Sequence, residues 1–247
     1  FLVSGGARAD AADQRADRSY VRLYNDDGAL TGVQQRSPQI LRQYVNGSGS
    51  LGIAWTLADA WKLKTNAGSA YRIPAMVELT ANGVHHGTFR HEMGDSSLRA
   101  ERGYMLDAGL YFRKGRVKAD VTPYLNYFTN YIYLRPSAKF SSLPEAGQVY
   151  LYTQAQALFT GFESNIDIEV TSLLNNRLSF EYVWNRNLDT RVPLPFTPPF
   201  SALNEIEYKP AFSRPWLREL FFALSGQYFA AQRRVDVNEP ETDGYFL

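Results

Sequence analysis

The sequence predicts an all-β fold in which antiparallel strands form the wall of a transmembrane β-barrel. Three observations lead to this prediction. Apolar and polar residues alternate with a period of two through most of the chain, as in strands with two different faces. One alternating segment, Val117–Tyr133, has 17 residues, whereas strands of globular domains usually have about 5–6. Connections between segments alternate between long and short, which is typical of long extracellular loops and short periplasmic turns.

The composition is compatible with such a barrel. The 247 residues carry a net charge of +1 and no cysteine, so we expect no nucleic-acid partner, disulfide or thiolate metal site. Aromatic residues make up 14% of the chain, a content that a girdle at a membrane interface would explain. An aromatic-rich soluble β-sandwich has the same composition, so composition alone leaves both open.

The first half of the chain contains three predicted strands. Phe1–Arg8 is interpreted as the end of a strand, and residues 9–43 as a long polar loop with a turn at Asp26-Asp27-Gly28. Tyr44–Trp55 and Trp61–Tyr71 alternate and are joined by a short turn. Lysines on one face of the second segment predict that this face is hydrated.

Longer strands are predicted next. Tyr104–Arg113 and Val117–Tyr133 flank the tight turn Lys114-Gly115-Arg116. A loop then leads to Val149–Val170, where a change of phase predicts a bulge near Gly161.

The last predicted strands are Arg177–Asn185, Phe200–Lys209, Leu217–Ala231 and a segment that begins at Gly244. The count is nine strands and the start of a tenth. Bacterial single-chain barrels close with an even strand number. We therefore expect residues 1–247 to be the C-terminal part of a larger barrel.

One connection differs from the others. Tyr71–Glu101, which we call the histidine loop, is about thirty residues long, and long loops commonly carry binding residues. It contains all three histidines of the chain. The candidate ligand-binding residues are His85, His86, Arg90, His91 and Glu92. The histidines could ligate haem iron or another metal, because imidazole suits Fe, Cu and Zn, or they could simply form hydrogen bonds within the loop.

The two ends of the histidine loop are charged. Arg72 could meet an anionic ligand, or it could pair with Glu78 or Glu101 and fix the base of the loop. We favour the structural role. Carboxylates on the polar strand faces have water as a partner, so we expect no catalytic pair and no enzyme; no cofactor motif is present in the sequence.

The histidine loop resembles a segment of TonB-dependent outer-membrane receptors that reads roughly (F/Y)-R-x-P…E-L…G…G-(N/D)-x-x-L-x-x-E. The matching positions are Arg72, Pro74, Glu78, Leu79, Gly83, Gly94, Asp95, Leu98 and Glu101. The chain departs from the pattern at Ile73, where a small residue is commoner, and at Asp95-Ser96, where Asn-Pro is common. Thr242-Asp243-Gly244-Tyr245 is similar to the T-P-G-Y entry to a late strand of the same family.

The resemblance implies an intact barrel of 22 strands in the outer membrane of a Gram-negative bacterium, with an N-terminal plug that this chain does not show. It implies capture of a scarce nutrient, most often an iron complex such as a ferric siderophore, and import with energy from the inner-membrane TonB complex through the plug. Outer-membrane lipid is a further expected partner. Haem, cobalamin and glycans remain open as ligands, and some haem receptors of the family have a histidine in this segment. A passive barrel or adhesin without energy coupling, and a soluble β-rich protein, are the alternatives.

Overall fold

The computed structural model describes residues 1–212 and 220–247 and consists almost entirely of antiparallel strands. The strands are β1 (Leu2–Ala16), β2 (Ser19–Tyr24), β3 (Leu30–Ser37), β4 (Ile40–Ala58), β5 (Trp61–Arg72), β6 (Asn82–His85), β7 (Arg90–Met93), β8 (Glu101–Lys114), β9 (Val117–Phe140), β10 (Gln148–Glu169), β11 (Leu174–Asn187), β12 (Ser201–Tyr208), β13 (Phe222–Phe229) and β14 (Tyr245–Phe246). A single short helix, α1 (Met76–Thr80), occurs among the described residues. Within the same ranges, no helix is long and apolar enough to cross a membrane.

Ten of these strands form the wall of the molecule. Their order in the sheet is β1-β4-β5-β8-β9-β10-β11-β12-β13-β14, and each neighbouring pair is antiparallel. In the described part of the chain the sheet stays open between β1 and β14. The predicted all-β antiparallel barrel wall, with nine strands and the beginning of a tenth, is therefore confirmed.

The register gives the sheet one apolar and one polar face. Leu63 lies opposite Leu110, which lies opposite Val121 on the next strand. On the other face, Asn66 donates a 2.8 Å hydrogen bond to Asp107. Large apolar side chains such as those of Leu51, Leu106 and Leu224 are more than half exposed. A continuous exposed apolar face is the surface that lipid covers in a transmembrane barrel.

Aromatic rings mark both borders of this apolar band. Trp61 and Phe112 pack 4.7 Å apart near the short turns, and Tyr104 and Tyr127 stack 6.3 Å apart toward the other end. Phe112 and Tyr104 are eight residues apart on β8, which corresponds to about 27 Å along an extended strand. The spacing fits the apolar band of about 25 Å between the aromatic girdles of such barrels.

The region predicted as one polar loop, residues 9–43, is largely strand. β1 continues to Ala16, which pairs with Ile40, and β2 and β3 form a separate hairpin. The prediction was wrong because residues 9–16, which read ADAADQRA, show no regular alternation of apolar and polar residues. A strand that extends above the apolar band does not need an apolar face.

Two details of the later strands also differ. β9 continues to Phe140, and the bulge lies where the register shifts between Ala155 and Ala157, not at Gly161. A Cβ at Gly161 would collide with the carbonyl oxygen of Tyr182, so this glycine permits a close backbone approach.

The bounds of the predicted strands Phe200–Lys209 and Leu217–Ala231 also differ from those observed. β12 ends at Tyr208 and β13 begins at Phe222. Pro210 has no N–H for a ladder hydrogen bond, which favours ending the strand before it. Residues 217–219 of the predicted strand Leu217–Ala231 lie outside the described residues.

Candidate functional site

The histidine loop folds against the tall β9–β10 hairpin. Its strands β6 and β7 form a small hairpin, and β7 adds to the edge of β10 in parallel. His91 lies beside Val149, and Met93 lies beside Leu151. The loop that leaves β5 therefore reaches past β8 and β9 to β10.

A small apolar core holds the loop in this position. Leu79 and Leu98 are 1% and 0% exposed and cluster with Ile40 and Ile132. The side chain of Tyr152 packs against this cluster. Because this core joins the histidine loop to β4 and β9, the loop is packed against the sheet and not mobile.

Charged groups close the base of the loop. Arg72 donates from Nη1 to Glu78 Oε2 at 2.8 Å and from Nη2 to Glu101 Oε2 at 3.3 Å. Glu78 also accepts the N–H of Ala75, and Glu101 accepts the N–H of Ile132. Both ion pairs suggested by the sequence are present, so Arg72 has partners at the base of the loop.

The remaining motif residues serve the same local structure. Pro74 is buried and its carbonyl accepts a 2.7 Å hydrogen bond from Gln14. A Cβ at Gly94 would lie 2.7 Å from the amide nitrogen of Thr80, and one at Gly83 would collide with Arg36. Asp95 accepts the N–H of Ser97 at 2.7 Å.

The structure does not bring the three histidines together. His85 and His86 are exposed at the tip of the β6–β7 hairpin. His85 lies opposite Arg90, whereas His91 lies opposite Val84, so His85 and His91 point to opposite faces of the hairpin. Within residues 1–212 and 220–247, no three His, Cys, Asp or Glu side chains are placed to hold a metal ion.

His91 is engaged at both ring nitrogens. Its Nδ1 lies 2.8 Å from Ser141 Oγ, and its Nε2 lies 3.3 Å from Asn82 Oδ1. Burial and the charge of Arg36 lower the pKa of His91. The neutral ring thus bonds the histidine loop to the tip of the β9–β10 hairpin.

Glu92 is also directed into the structure. Its buried carboxylate accepts a 3.0 Å hydrogen bond from the hydroxyl of Tyr152. Burial, with the negative charge of Glu92, raises the pKa of Tyr152 to about 12. The neutral phenol therefore remains a donor to Glu92 throughout the physiological range.

Arg90 is placed differently. Its guanidinium carbon lies 4.6 Å from the ring centre of Tyr150 and 5.1 Å from that of Phe196. These rings belong to β10 and to the loop between β11 and β12. The sequence analysis found Arg90 but neither aromatic partner, because no spacing rule connects residues that lie 60 or more positions apart along the chain.

Another ion pair, which the sequence analysis did not predict, joins the loop before β14 to β9. Arg135 donates from Nε to Asp236 Oδ2 at 3.2 Å, and Asp236 is almost fully buried. Asn238 adds a hydrogen bond to the carbonyl of Pro136. Several long loops are thus fastened to the β9–β10 hairpin.

The comparison with known families decides the assignment. Residues 1–247 match the family model described as "TonB dependent receptor-like, beta-barrel". The chain belongs to the TonB-dependent receptor family. TonB-dependent receptors are transporters and not enzymes.

Solved structures of TonB-dependent receptors share this fold. "Copper transporter OprC" superposes with a TM-score of 0.78 at 18% identity, over 99% of this chain and 36% of OprC. A mutant of the ferric enterobactin receptor PfeA from Pseudomonas aeruginosa gives 0.60 at 17%, over 82% of this chain and 31% of PfeA. The FrpB iron transporter from Neisseria meningitidis gives 0.60 at 15%, over 99% and 34%. The chain spans about a third of the length of these structures, and the likeness concerns the fold.

Proposed function

We propose that this chain is part of the barrel of a Gram-negative outer-membrane receptor that imports a scarce nutrient. The observation that carries the proposal is the family match across all 247 residues. The two-faced sheet supports it, because lipid would cover the apolar face and leave the polar face toward the lumen. The long loops would then be extracellular, and the inner-membrane TonB complex would supply energy through a plug segment.

A ferric siderophore is the cargo that we propose first. The fold neighbours include the ferric enterobactin receptor PfeA and siderophore receptors called PirA from Pseudomonas aeruginosa and Acinetobacter baumannii. The fastened loops of this chain provide a rigid frame on which a ligand can be recognised.

Copper is the second candidate cargo. It is favoured by the TM-score of 0.78 with the copper transporter OprC. His85 and His86 are exposed neighbours at the tip of the histidine loop. Imidazole is a ligand that copper accepts.

Uptake by whole cells tests both cargoes and the energy coupling. A strain lacking the receptor is complemented with it, in the presence and absence of TonB, and given radioactive ferric siderophores or copper. We expect uptake only when receptor and TonB are both present. Receptor-dependent uptake that persists without TonB would instead support a passive barrel, and no receptor-dependent uptake would contradict a role in import of these cargoes.

A further inference from the structure

We propose that the apolar face of β11 and β12 is a self-association surface inside the membrane. On this surface Asn176 and Asn204, which we call the amide pair, bind the same two residues of a second copy of the receptor. The surface lies on the wall of the barrel, away from the long loops. The inference rests on the membrane placement that the proposed function requires.

Both asparagines lie on the apolar face of the sheet. Successive residues of a strand point to opposite faces. Arg177, the neighbour of Asn176, points to the polar face, where it pairs with Asp167 at 3.5 Å and with Glu205 at 3.4 Å. Glu205 is in turn the neighbour of Asn204. The amide pair therefore leaves the opposite face, which lipid would cover.

Asn204 lies in the middle of the apolar band. Phe200 and Tyr208 are four residues away from it in the two directions along the chain, so the three side chains share one face. Four residues of an extended strand span about 14 Å, and two such spans fit the apolar band of about 25 Å between aromatic borders. Hydrocarbon at this depth offers no hydrogen-bond donor or acceptor.

The two amides satisfy each other only in part. Asn204 donates from Nδ2 to Asn176 Oδ1 at 3.2 Å and to the carbonyl oxygen of Arg177 at 3.1 Å. A carboxamide has two N–H donors and an oxygen that can accept two hydrogen bonds. Within residues 1–212 and 220–247, the Asn176 nitrogen donates no hydrogen bond and the Asn204 side-chain oxygen accepts none.

Hydroxyl groups on the same face of β10 differ from the amide pair, because they are satisfied within the chain. Thr160 donates from Oγ1 to the carbonyl oxygen of Tyr124 at 2.9 Å, and Ser164 donates from Oγ to that of Asp120 at 2.8 Å. An amide group without a partner in hydrocarbon costs free energy. A partner that supplies both a donor and an acceptor to the amide pair is therefore favoured.

A second copy of the receptor supplies both groups. Asn176 has unused donors, Asn204 has an unused acceptor, and their mutual contact places the two amides at nearly the same depth. In a dimer whose twofold axis follows the membrane normal and passes between the amides, Asn176 of each copy faces Asn204 of the other. Each copy then donates one new hydrogen bond and accepts one, which lipid tails cannot do.

The residues around the amide pair permit such a contact. Gly226 lies opposite Asn204 on β13, and Ala202 is the next residue of β12 on the same face. Small residues let transmembrane segments approach closely. Ile206 and Leu224, which lie opposite each other beside the amides, are 39% and 74% exposed and provide apolar packing surface.

Association of the complete receptor in lipid vesicles tests the proposal. Copies are labelled with donor or acceptor dyes through Asp26→Cys, a change at an exposed position of a chain without cysteine. Energy transfer is measured over a series of protein-to-lipid ratios for wild type, Asn176→Leu and Asn204→Leu. Thr160→Val is the matched control, because its hydroxyl lies on the same face and is already bonded within the chain. Heat-modifiable mobility on gels verifies that every variant retains a folded barrel.

We expect wild type and Thr160→Val to associate equally, and each leucine variant to lose about tenfold in association constant. A mixture of Asn176→Leu donor copies with Asn204→Leu acceptor copies keeps one of the two amide contacts in each dimer. Energy transfer in the mixture should therefore exceed that of either variant alone.

Three results would overturn the inference while leaving the import function intact. They are a wild type that inserts but does not associate, equal association in all variants, and a mixture that associates no better than the single leucine variants. If the receptor did not insert into vesicles at all, the self-association surface and the proposed membrane function would both fail.

Discussion

At the scale of single residues, the three histidines of the histidine loop lie in two different environments. Both nitrogens of His91 already have partners in Ser141 and Asn82, whereas His85 and His86 are exposed at the hairpin tip. A ring whose nitrogens are engaged within the protein cannot ligate iron without breaking those contacts. If a histidine of this chain is an axial ligand to haem, we therefore expect it to be His85 or His86 at the tip.

A haemin titration of the complete receptor in detergent tests this division. We expect any Soret shift that wild type shows to persist in His91→Ala and to be lost in the double variant His85→Ala/His86→Ala. The reverse pattern would contradict the assignment of His91 to loop structure. A shift that survived in all variants would place the ligand outside the histidine loop.

His91 also predicts a pH dependence of loop docking. Its pKa is lowered when the loop is docked, so the undocked state binds the proton more tightly. Above the ordinary histidine pKa of about 6.5, the ring is neutral in both states and docking is fully stable. As the pH falls through that value toward the lowered pKa, docking weakens.

Hydrogen exchange of residues 82–93 between pH 8 and pH 5 measures this effect. After correction for intrinsic exchange, protection should fall below pH 6.5 in wild type and in the control His86→Ala. His91→Asn cannot be protonated in this range, and its protection should stay constant. A fall of equal size in His91→Asn would contradict the prediction.

The sequence predicted the role of some residues and not of others. The motif from Arg72 to Glu101 pointed to a charged loop base because its members are close along the chain. His91, Glu92 and Arg90 each contact a residue at least 50 positions away along the chain, and such pairs leave no periodic signal. The roles of these residues could be assigned only from the three-dimensional structure.

At the scale of elements, the histidine loop owes its position to α1 and its apolar contacts. The sequence analysis treated this region as a loop, since β6 and β7 have only four residues each and lack an alternating apolar face. Short strands of this kind form only because β10 offers an unpaired edge above the end of β11. Tertiary context, rather than local propensity, decides their conformation.

Truncation within α1 tests how the loop is held. Leu79 is buried in the small core, whereas Val77, two residues earlier on the same helix, is 51% exposed. We expect Leu79→Ala to lower the free energy of loop docking by about 2–5 kcal/mol and Val77→Ala to have little effect. Limited proteolysis of the loop in detergent measures the difference. Equal cleavage rates in both variants would mean that the core does not hold the loop.

At the scale of the whole molecule, alternation was a reliable guide where a strand has one apolar and one polar face, as lipid on one side and water on the other would require. The prediction was best in strands of the apolar band, such as β5 and β8. It was worst in the part of β1 beyond that band, where the residues form no apolar face. The accuracy of the sequence analysis therefore follows the position of each segment relative to the apolar band.

Two neighbouring residues of β8 test the assignment of the faces. Leu106 lies on the apolar face inside the aromatic borders, and Met105 lies on the opposite face, which we assign to the lumen. Arginine on the lipid face costs about 2–4 kcal/mol at the bilayer midplane and about 0–1 kcal/mol near the interfaces. Because Leu106 lies two residues inside the Tyr104 border, we expect Leu106→Arg to lower the free energy of unfolding in lipid vesicles by an amount between these limits.

Met105→Arg should change the stability by much less, since its guanidinium would be hydrated in the lumen. Denaturant titrations of both variants in the same vesicles, followed by tryptophan fluorescence, give the comparison. The reverse order of stability would exchange the two faces and contradict the proposed orientation. Equal losses would show that neither face is in contact with lipid, and the soluble alternative would then regain support.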